Sequence, residues 1–122
     1  MSERSFDAAV AAHMASITNR DIAAFRSHLT RGEVLHTIVQ SGHAFTTPAE
    51  LIAIHEEWFK DPDWTWEGEL VHRVVGSDVA MALIRYRYRP RPDAEGFSTW
   101  LVYVFRLEDG QWRIVHDQNT AV

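Results

Sequence analysis

The first half of the chain carries its apolar residues at intervals of three and four, with polar residues between them. This spacing predicts an amphipathic helix over Ser5–Ile17 and a shorter second helix over Arg20–Leu29, for which Asn19 can act as the N-cap. A third helix is predicted to begin where Thr47 is followed by Pro48, because threonine can accept a hydrogen bond from the first turn and proline suits its backbone angles. Glu50, three residues after Thr47, is the expected partner in a capping box. We therefore expect three helices before the main run of strands.

After Trp64 the pattern changes to an alternation of apolar and polar residues, which is the period of a half-buried β-strand. Ser77-Asp78 and Asp109-Gly110 can form tight turns between consecutive strands. The predicted strands are Val34–Val39, Thr65–Val75, Val79–Arg89, Ser98–Leu107 and Trp112–Asn119. The order of elements is therefore α, α, β, α, β, β, β, β.

This order predicts how the elements pack. A twisted sheet has one face that must be covered, and each of the three helices has one apolar stripe to bury. We therefore expect an α+β fold in which the three helices pack into the concave side of a curved, mixed or antiparallel sheet. The 122 residues suffice for a single domain, 1–122, with one core. A cone of this kind leaves a cavity at its open end.

Composition and charge exclude several classes of function. The chain has no cysteine, which rules out disulfides and thiol catalysis, and its net charge of -5 argues against a nucleic-acid partner. The sequence has neither a secretory signal nor an apolar run of membrane-spanning length, so a cytoplasmic location and no membrane partner are expected. With no glycine-rich phosphate loop and no histidines at ligand spacing, neither a cofactor nor a metal ion is expected.

The last hairpin determines which side chains can face the cavity. If Asp109-Gly110 is a two-residue loop, Tyr103 pairs with His116 on the apolar face, and Gln118 lies beside them. The same count places Asp117 on the opposite face. Imidazole is a natural general base near neutral pH and a phenol can donate a proton, so His116 and Tyr103 are candidate catalytic residues. An ordinary structural histidine, hydrogen-bonded to Tyr103, is the alternative interpretation.

The preceding hairpin supplies candidate binding residues. With Ser77-Asp78 as its loop, the preferred register turns His72 and Arg85 inward, although a change of one residue in the loop would reverse this. An inward Arg85 could hold a ligand carboxylate or carbonyl. Trp58 could stack on a ligand, and His36 could face either side of its short strand. The predicted ligand-binding residues are Arg85, His72, Gln118, His36 and Trp58.

The order of elements and the final stretch WRIVHDQNT resemble the SnoaL-like, ketosteroid-isomerase-like domains of the nuclear transport factor two superfamily. This resemblance implies a cystatin-like cone, usually dimeric, with a pocket between helices and sheet. Members of that superfamily include isomerases, dehydratases, polyketide cyclases, epoxide hydrolases and non-catalytic association domains. Ketosteroid isomerases use an aspartate base, a tyrosine and a protonated aspartate. The chain offers Tyr103 for such a site, but the predicted register leaves Asp117 outside it.

Two functional hypotheses follow from the sequence. The first is a cofactor-independent isomerase or lyase that uses histidine and tyrosine acid–base chemistry on an anionic or carbonyl-containing small molecule. The second is a non-catalytic ligand-binding or association module. In both, the mixed outer face of the sheet is expected to join two copies into a homodimer.

Overall fold

The structure is a computed structural model that describes residues 3–120. Its elements in chain order are α1 (Glu3–Thr18), α2 (Ile22–Ser27), β1 (His36–Ile38), β2 (Ala44–Phe45), α3 (Pro48–Phe59), β3 (Thr65–Val75), β4 (Val79–Arg89), β5 (Phe97–Glu108) and β6 (Gln111–Asn119). The predicted α+β class, the three helices and the four long strands are confirmed. Among residues 3–120, none of the helices combines the length and the apolar character needed to span a membrane.

The second helix is shorter than the sequence predicts. Arg20 has a left-handed backbone, with φ of 54°, which interrupts the chain between α1 and α2. Asp21, and not Asn19, is the N-cap, and its carboxylate accepts a hydrogen bond from the backbone N–H of Ala24 at 3.1 Å. The helix ends before Leu29, which instead bridges to Ile114 of the sheet.

The third helix begins at the predicted capping box. The Thr47 hydroxyl accepts a hydrogen bond from the backbone N–H of Glu50 at 3.3 Å, and the Glu50 carboxylate accepts one from the backbone N–H of Thr46 at 3.3 Å. These contacts satisfy N–H groups that have no partner inside the helix.

Replacing Thr47 by alanine is therefore expected to lower the free energy of unfolding by about 1 kcal/mol. Urea denaturation of the purified variant measures this. Thr65→Ala, at an exposed strand position, serves as the control with a smaller effect. An unchanged midpoint for Thr47→Ala would contradict the role of the cap.

The sheet contains six strands in the order β2-β1-β6-β5-β4-β3. β1 runs parallel to β6, and the other neighbouring pairs are antiparallel, so the sheet is mixed. The two-residue strand β2 was not predicted. Because β6 lies between β1 and β5, the last strand is held on both sides.

The core lies between the helices and the concave face of the sheet. Phe6 of α1 contacts the rings of Phe105 and Trp112 edge-on, at centroid distances of 5.1 and 5.4 Å. His13 and Val10, further along the same helix, are also fully buried. This apolar cluster closes the narrow end of the cone.

The register of the last hairpin differs from the predicted one by a β-bulge. Phe105 pairs with Ile114 but Val104 pairs with His116, so Val115 has no partner in β5. Beyond the bulge every residue of β6 changes faces, and Asp117 becomes the partner of Tyr103. The predicted pairing of Tyr103 with His116 is therefore wrong.

A second bulge changes the β3–β4 hairpin. Leu70 pairs with Ile84 and His72 with Leu83, which leaves Val71 without a partner. The side chains of β4 that point into the core are its small, aliphatic and tyrosine residues, and Arg85 faces outward beside Glu69. The predicted inward positions of His72 and Arg85 are wrong, because alternation alone cannot tell which side of an isolated hairpin will meet the helices.

Candidate functional site

A cavity of about 270 Å³ opens between the helices and the sheet. It is lined by Ile17, Thr37, Val39, Gln40, Ile54, His55, Trp58, Trp66, Tyr86, Tyr88, Leu101, Tyr103, Asp117 and Asn119. The half-buried members of this set, which include Val39 and Trp58, mark its mouth, and the fully enclosed ones, which include Tyr103 and Asp117, mark its floor. Its walls are mostly apolar and aromatic, and its polar groups come from α3, from β4, β5 and β6, and from β1 with the residues after it.

Asp117 provides the carboxylate on the floor of the cavity. It lies opposite Tyr103 on β5 and beside Thr37 on the parallel strand β1, and only 5% of its surface is exposed. Among the described residues, none donates a hydrogen bond to its side chain, and none forms an ion pair with it. Burial raises the pKa of Asp117 from 3.8 to about 7, because the charged form loses its hydration. The carboxyl group therefore exchanges its proton near neutral pH.

Two hydroxyl groups accompany the carboxylate. Burial, and then the nearby charge of Asp117, raise the pKa of Tyr103 well above its ordinary value, so this phenol stays protonated. The hydroxyl of Thr37 is buried and has no hydrogen-bond partner among the described residues. An unpaired buried hydroxyl is costly, and a ligand polar atom would satisfy it.

A chain of hydrogen bonds forms the wall next to β1. The Tyr86 hydroxyl donates to Oδ1 of Asn119 at 2.7 Å and accepts a hydrogen bond from Nε2 of Gln40. Nδ2 of Asn119 donates to the Ile38 carbonyl at 3.3 Å. Burial raises the pKa of Tyr86 to about 12. These bonds hold the segment after β1 against β4 and β6, and they use both hydrogen-bonding functions of the Tyr86 hydroxyl.

His55 lies on the helical side of the cavity. Its Nδ1–H donates to the Leu51 carbonyl at 3.0 Å, and its ring stacks on Phe25 at 4.1 Å. Burial lowers the pKa of His55 to about 4, so the imidazole is neutral near physiological pH. Its other ring nitrogen, Nε2, is then an acceptor.

The structure brings only part of the predicted site together. Tyr103 and Trp58 line the cavity, as predicted. The remaining predicted site residues lie on the outer side of the sheet: His116, Gln118, His36, Arg85 and His72. There His116 bonds Gln118 at 2.9 Å and the Arg85 guanidinium lies 5.3 Å from the Trp100 ring centre.

Sequence reasoning missed the side chains that replace them on the cavity floor, above all Asp117 and Asn119. One signal was available, because Ile114 and Val115 are consecutive apolar residues that interrupt the alternation of β6. Such a break is typical of a bulge. It indicates that the side chains of β6 switch faces of the sheet, but it does not indicate the residue at which they switch.

The fold and the cavity define this molecule as a cone-shaped α+β protein with a cavity between helices and sheet. Residues 10–115 match the model of a family described as the SnoaL-like domain, and the chain belongs to that family. The resemblance inferred from the sequence is thereby confirmed.

Several solved structures share the fold. An NTF2-like protein of unknown function from Shewanella oneidensis MR-1 is 14% identical, with a TM-score of 0.81 over 98% of this chain and 99% of that one. A ketosteroid isomerase-like protein from Erwinia carotovora atroseptica is 16% identical, with a TM-score of 0.75 over 98% and 95%. An LEH-like epoxide hydrolase from M. tuberculosis is 14% identical, with a TM-score of 0.69 over 93% and 76%. The comparison with curated proteins gives no significant match. At these identities the similarities show the fold alone.

Proposed function

We propose that the protein is a cofactor-independent enzyme of the isomerase or lyase type, which transfers a proton to or from a small molecule through Asp117. The observation that carries this proposal is the enclosed carboxylate of Asp117, which faces the cavity without a partner among the described residues. A general acid or base is most effective when its pKa lies near the working pH, and burial brings Asp117 to that range. The acid–base role that the sequence predicted for His116 is here proposed for Asp117.

Tyr103 and Thr37 complete the proposed site. Their hydroxyl groups lie on the strands that flank Asp117, where they can donate hydrogen bonds to charge that develops on a substrate oxygen. The cavity of about 270 Å³ lies just below the range for ligand pockets, which begins at about 300 Å³, so it suits a small ligand with one or two rings. Structural neighbours described as isomerase-like and as an epoxide hydrolase support acid–base chemistry in this fold.

The proposal can be tested with 5-nitrobenzisoxazole, an uncharged two-ring probe. A base removes its C3 proton, the N–O bond breaks, and a coloured phenolate is released. The native protein is expected to accelerate this ring opening, with a rate that rises with pH and levels off above about pH 7, since the ionised carboxylate is the base. Asp117→Asn is expected to reduce the protein-catalysed rate by about 100-fold or more.

Asp63→Asn is the matched control, because Asp63 is an exposed carboxylate outside the cavity. It is expected to retain the native rate. Equal rates for native protein and Asp117→Asn, or no acceleration by the native protein at any pH, would contradict the proposed role of Asp117.

A second candidate function, association through the outer face of the sheet, has its own support. This face exposes Val74, Val79 and Trp100 by 57%, 48% and 38% of their surfaces. Val74 and Val79 lie near the β3–β4 turn, and Trp100 lies further along the same face beside Arg85. Exposed apolar groups on one face of a sheet are typical of an interaction surface. We propose that two copies pair through this face, which leaves both cavities free.

The oligomeric state measured by light scattering after size exclusion tests this pairing. The native protein is expected to be a dimer at micromolar concentration, and Trp100→Glu is expected to be monomeric because it replaces a large exposed apolar ring of the pairing face by a charge. Val34→Glu is the control, since Val34 is 56% exposed but lies outside the four long strands. A monomeric native protein would overturn the proposal.

A further inference from the structure

The part of the cavity lining formed by residues 3–120 contains an acidic side chain and no basic one with a fixed charge. Among the described residues, none of those lining it is lysine or arginine, and Asp117 is the single carboxylate in the lining. The sequence predicted that Arg85 would bind an anionic ligand there, but Arg85 lies on the other side of the sheet beside Glu69. A ligand in this cavity therefore meets an acid and no fixed positive charge.

The other titratable groups that face Asp117 are uncharged at neutral pH. Tyr103 on β5 and Tyr86 on β4 have raised pKa values and remain protonated phenols. His55 on α3 has a lowered pKa and remains a neutral imidazole. From β1 the nearest side chain is the hydroxyl of Thr37, which does not titrate. Once Asp117 ionises, its charge is not neutralised by any group in the lining.

Aromatic rings form much of the remaining surface of the cavity. Trp58 and Tyr88 lie toward the mouth, and Trp66 and Tyr86 lie deeper, where their rings stack on each other at 5.3 Å. The faces of aromatic rings attract cations, and tryptophan does so most strongly. Sites that combine several such rings with a carboxylate are well suited to ammonium groups.

We propose that the substrate of this cavity is an amine: an apolar body of one or two rings that carries a protonated or quaternary nitrogen, with the nitrogen paired to Asp117. This inference rests on the proposed function in that the ligand occupies the same site. A carboxylate ligand would be repelled by Asp117 with no cation to compensate, and in an enclosed site that repulsion is weakly screened. A neutral ligand would not supply the missing counter-charge.

Isothermal titration with three one-ring probes tests the charge preference: benzyltrimethylammonium, benzyl alcohol and phenylacetate. At about pH 8.5 the ammonium probe is expected to bind the native protein at least about tenfold more tightly than either of the others. At about pH 5.5, where Asp117 is protonated, its affinity is expected to fall by about tenfold or more. This comparison uses the native protein and needs no variant. Phenylacetate binding as tightly as the ammonium probe at the higher pH, or an ammonium affinity that does not change with pH, would overturn the proposal.

Asp117→Asn is expected to abolish the pH dependence and the preference for the ammonium probe, whereas Asp63→Asn keeps both. Ring opening of 5-nitrobenzisoxazole separates this inference from the proposed function, because that probe is neutral. Ring opening that depends on Asp117, without ammonium preference, would sink the amine proposal and leave the acid–base role standing. Ammonium preference without ring opening would contradict the acid–base role of Asp117 and leave the amine proposal standing.

Discussion

Asp117→Asn is expected to make the protein more stable at about pH 8, by up to about 4 kcal/mol. In the unfolded chain an aspartate has a pKa of 3.8, and burial raises the pKa of Asp117 to about 7 in the folded protein. The folded state thus binds the proton more tightly. The contribution of Asp117 to the free energy of unfolding is therefore highest below pH 3.8, falls as the pH rises between these two values, and is lowest above about pH 7. Asparagine has nearly the same shape and never carries that charge.

Urea denaturation of native protein and variant across this pH range measures the effect. The difference in the free energy of unfolding should be small at about pH 4 and should grow until about pH 7. Asp63→Asn should show no such growth, because its side chain is exposed. A variant that is less stable than the native protein at about pH 8 would show that the carboxylate has a structural role that its surroundings do not reveal. The expected combination, higher stability with lost catalysis, is typical of residues retained for function.

The second large effect is a loss of stability in acid that comes from His55. Burial lowers the pKa of His55 from 6.5 to about 4, so the unfolded chain takes up this proton more readily than the folded one. The resulting stability is fully present above pH 6.5 and is lost as the pH falls through about 4. The full loss amounts to about 3 kcal/mol. His13, whose pKa is lowered by burial and then by His28 and His55, acts in the same direction.

Asp117 acts in the opposite direction over much of the same pH range, so the native protein alone does not reveal the contribution of His55. The difference in the free energy of unfolding between His55→Phe and native protein does reveal it, because phenylalanine keeps a ring stacked on Phe25 and cannot be protonated. Relative to native protein, the variant is expected to gain about 3 kcal/mol between about pH 8 and pH 4. His43→Gln, at an exposed position, is the control with no such gain. If the free energies of unfolding of native protein and His55→Phe changed in parallel with pH, the acid loss could not be assigned to His55.

Some of the site follows from local sequence. Tyr103 and Trp58 were correctly predicted to line the cavity, because Tyr103 lies in an alternating strand and Trp58 on a helical stripe, and both positions depend on their own element. The error began at the hairpins. In the β3–β4 hairpin the wrong face was assigned to the core, because alternation does not tell which face meets the helices. In the last hairpin Val115 is unpaired, and this bulge reverses the faces of the β6 residues beyond it.

Local patterns of the sequence therefore determined the class of fold, the limits of β3 and β4, the capping box of α3 and membership of the SnoaL-like family. Hydrogen bonds between neighbours in the chain and the burial of alternate residues are sufficient for these features. Only the tertiary structure decided that Asp117, and not His116, would lie in the cavity. A bulge forms where a sheet must bend around its helices, so its position depends on contacts between residues far apart in the chain, and no local period contains that information.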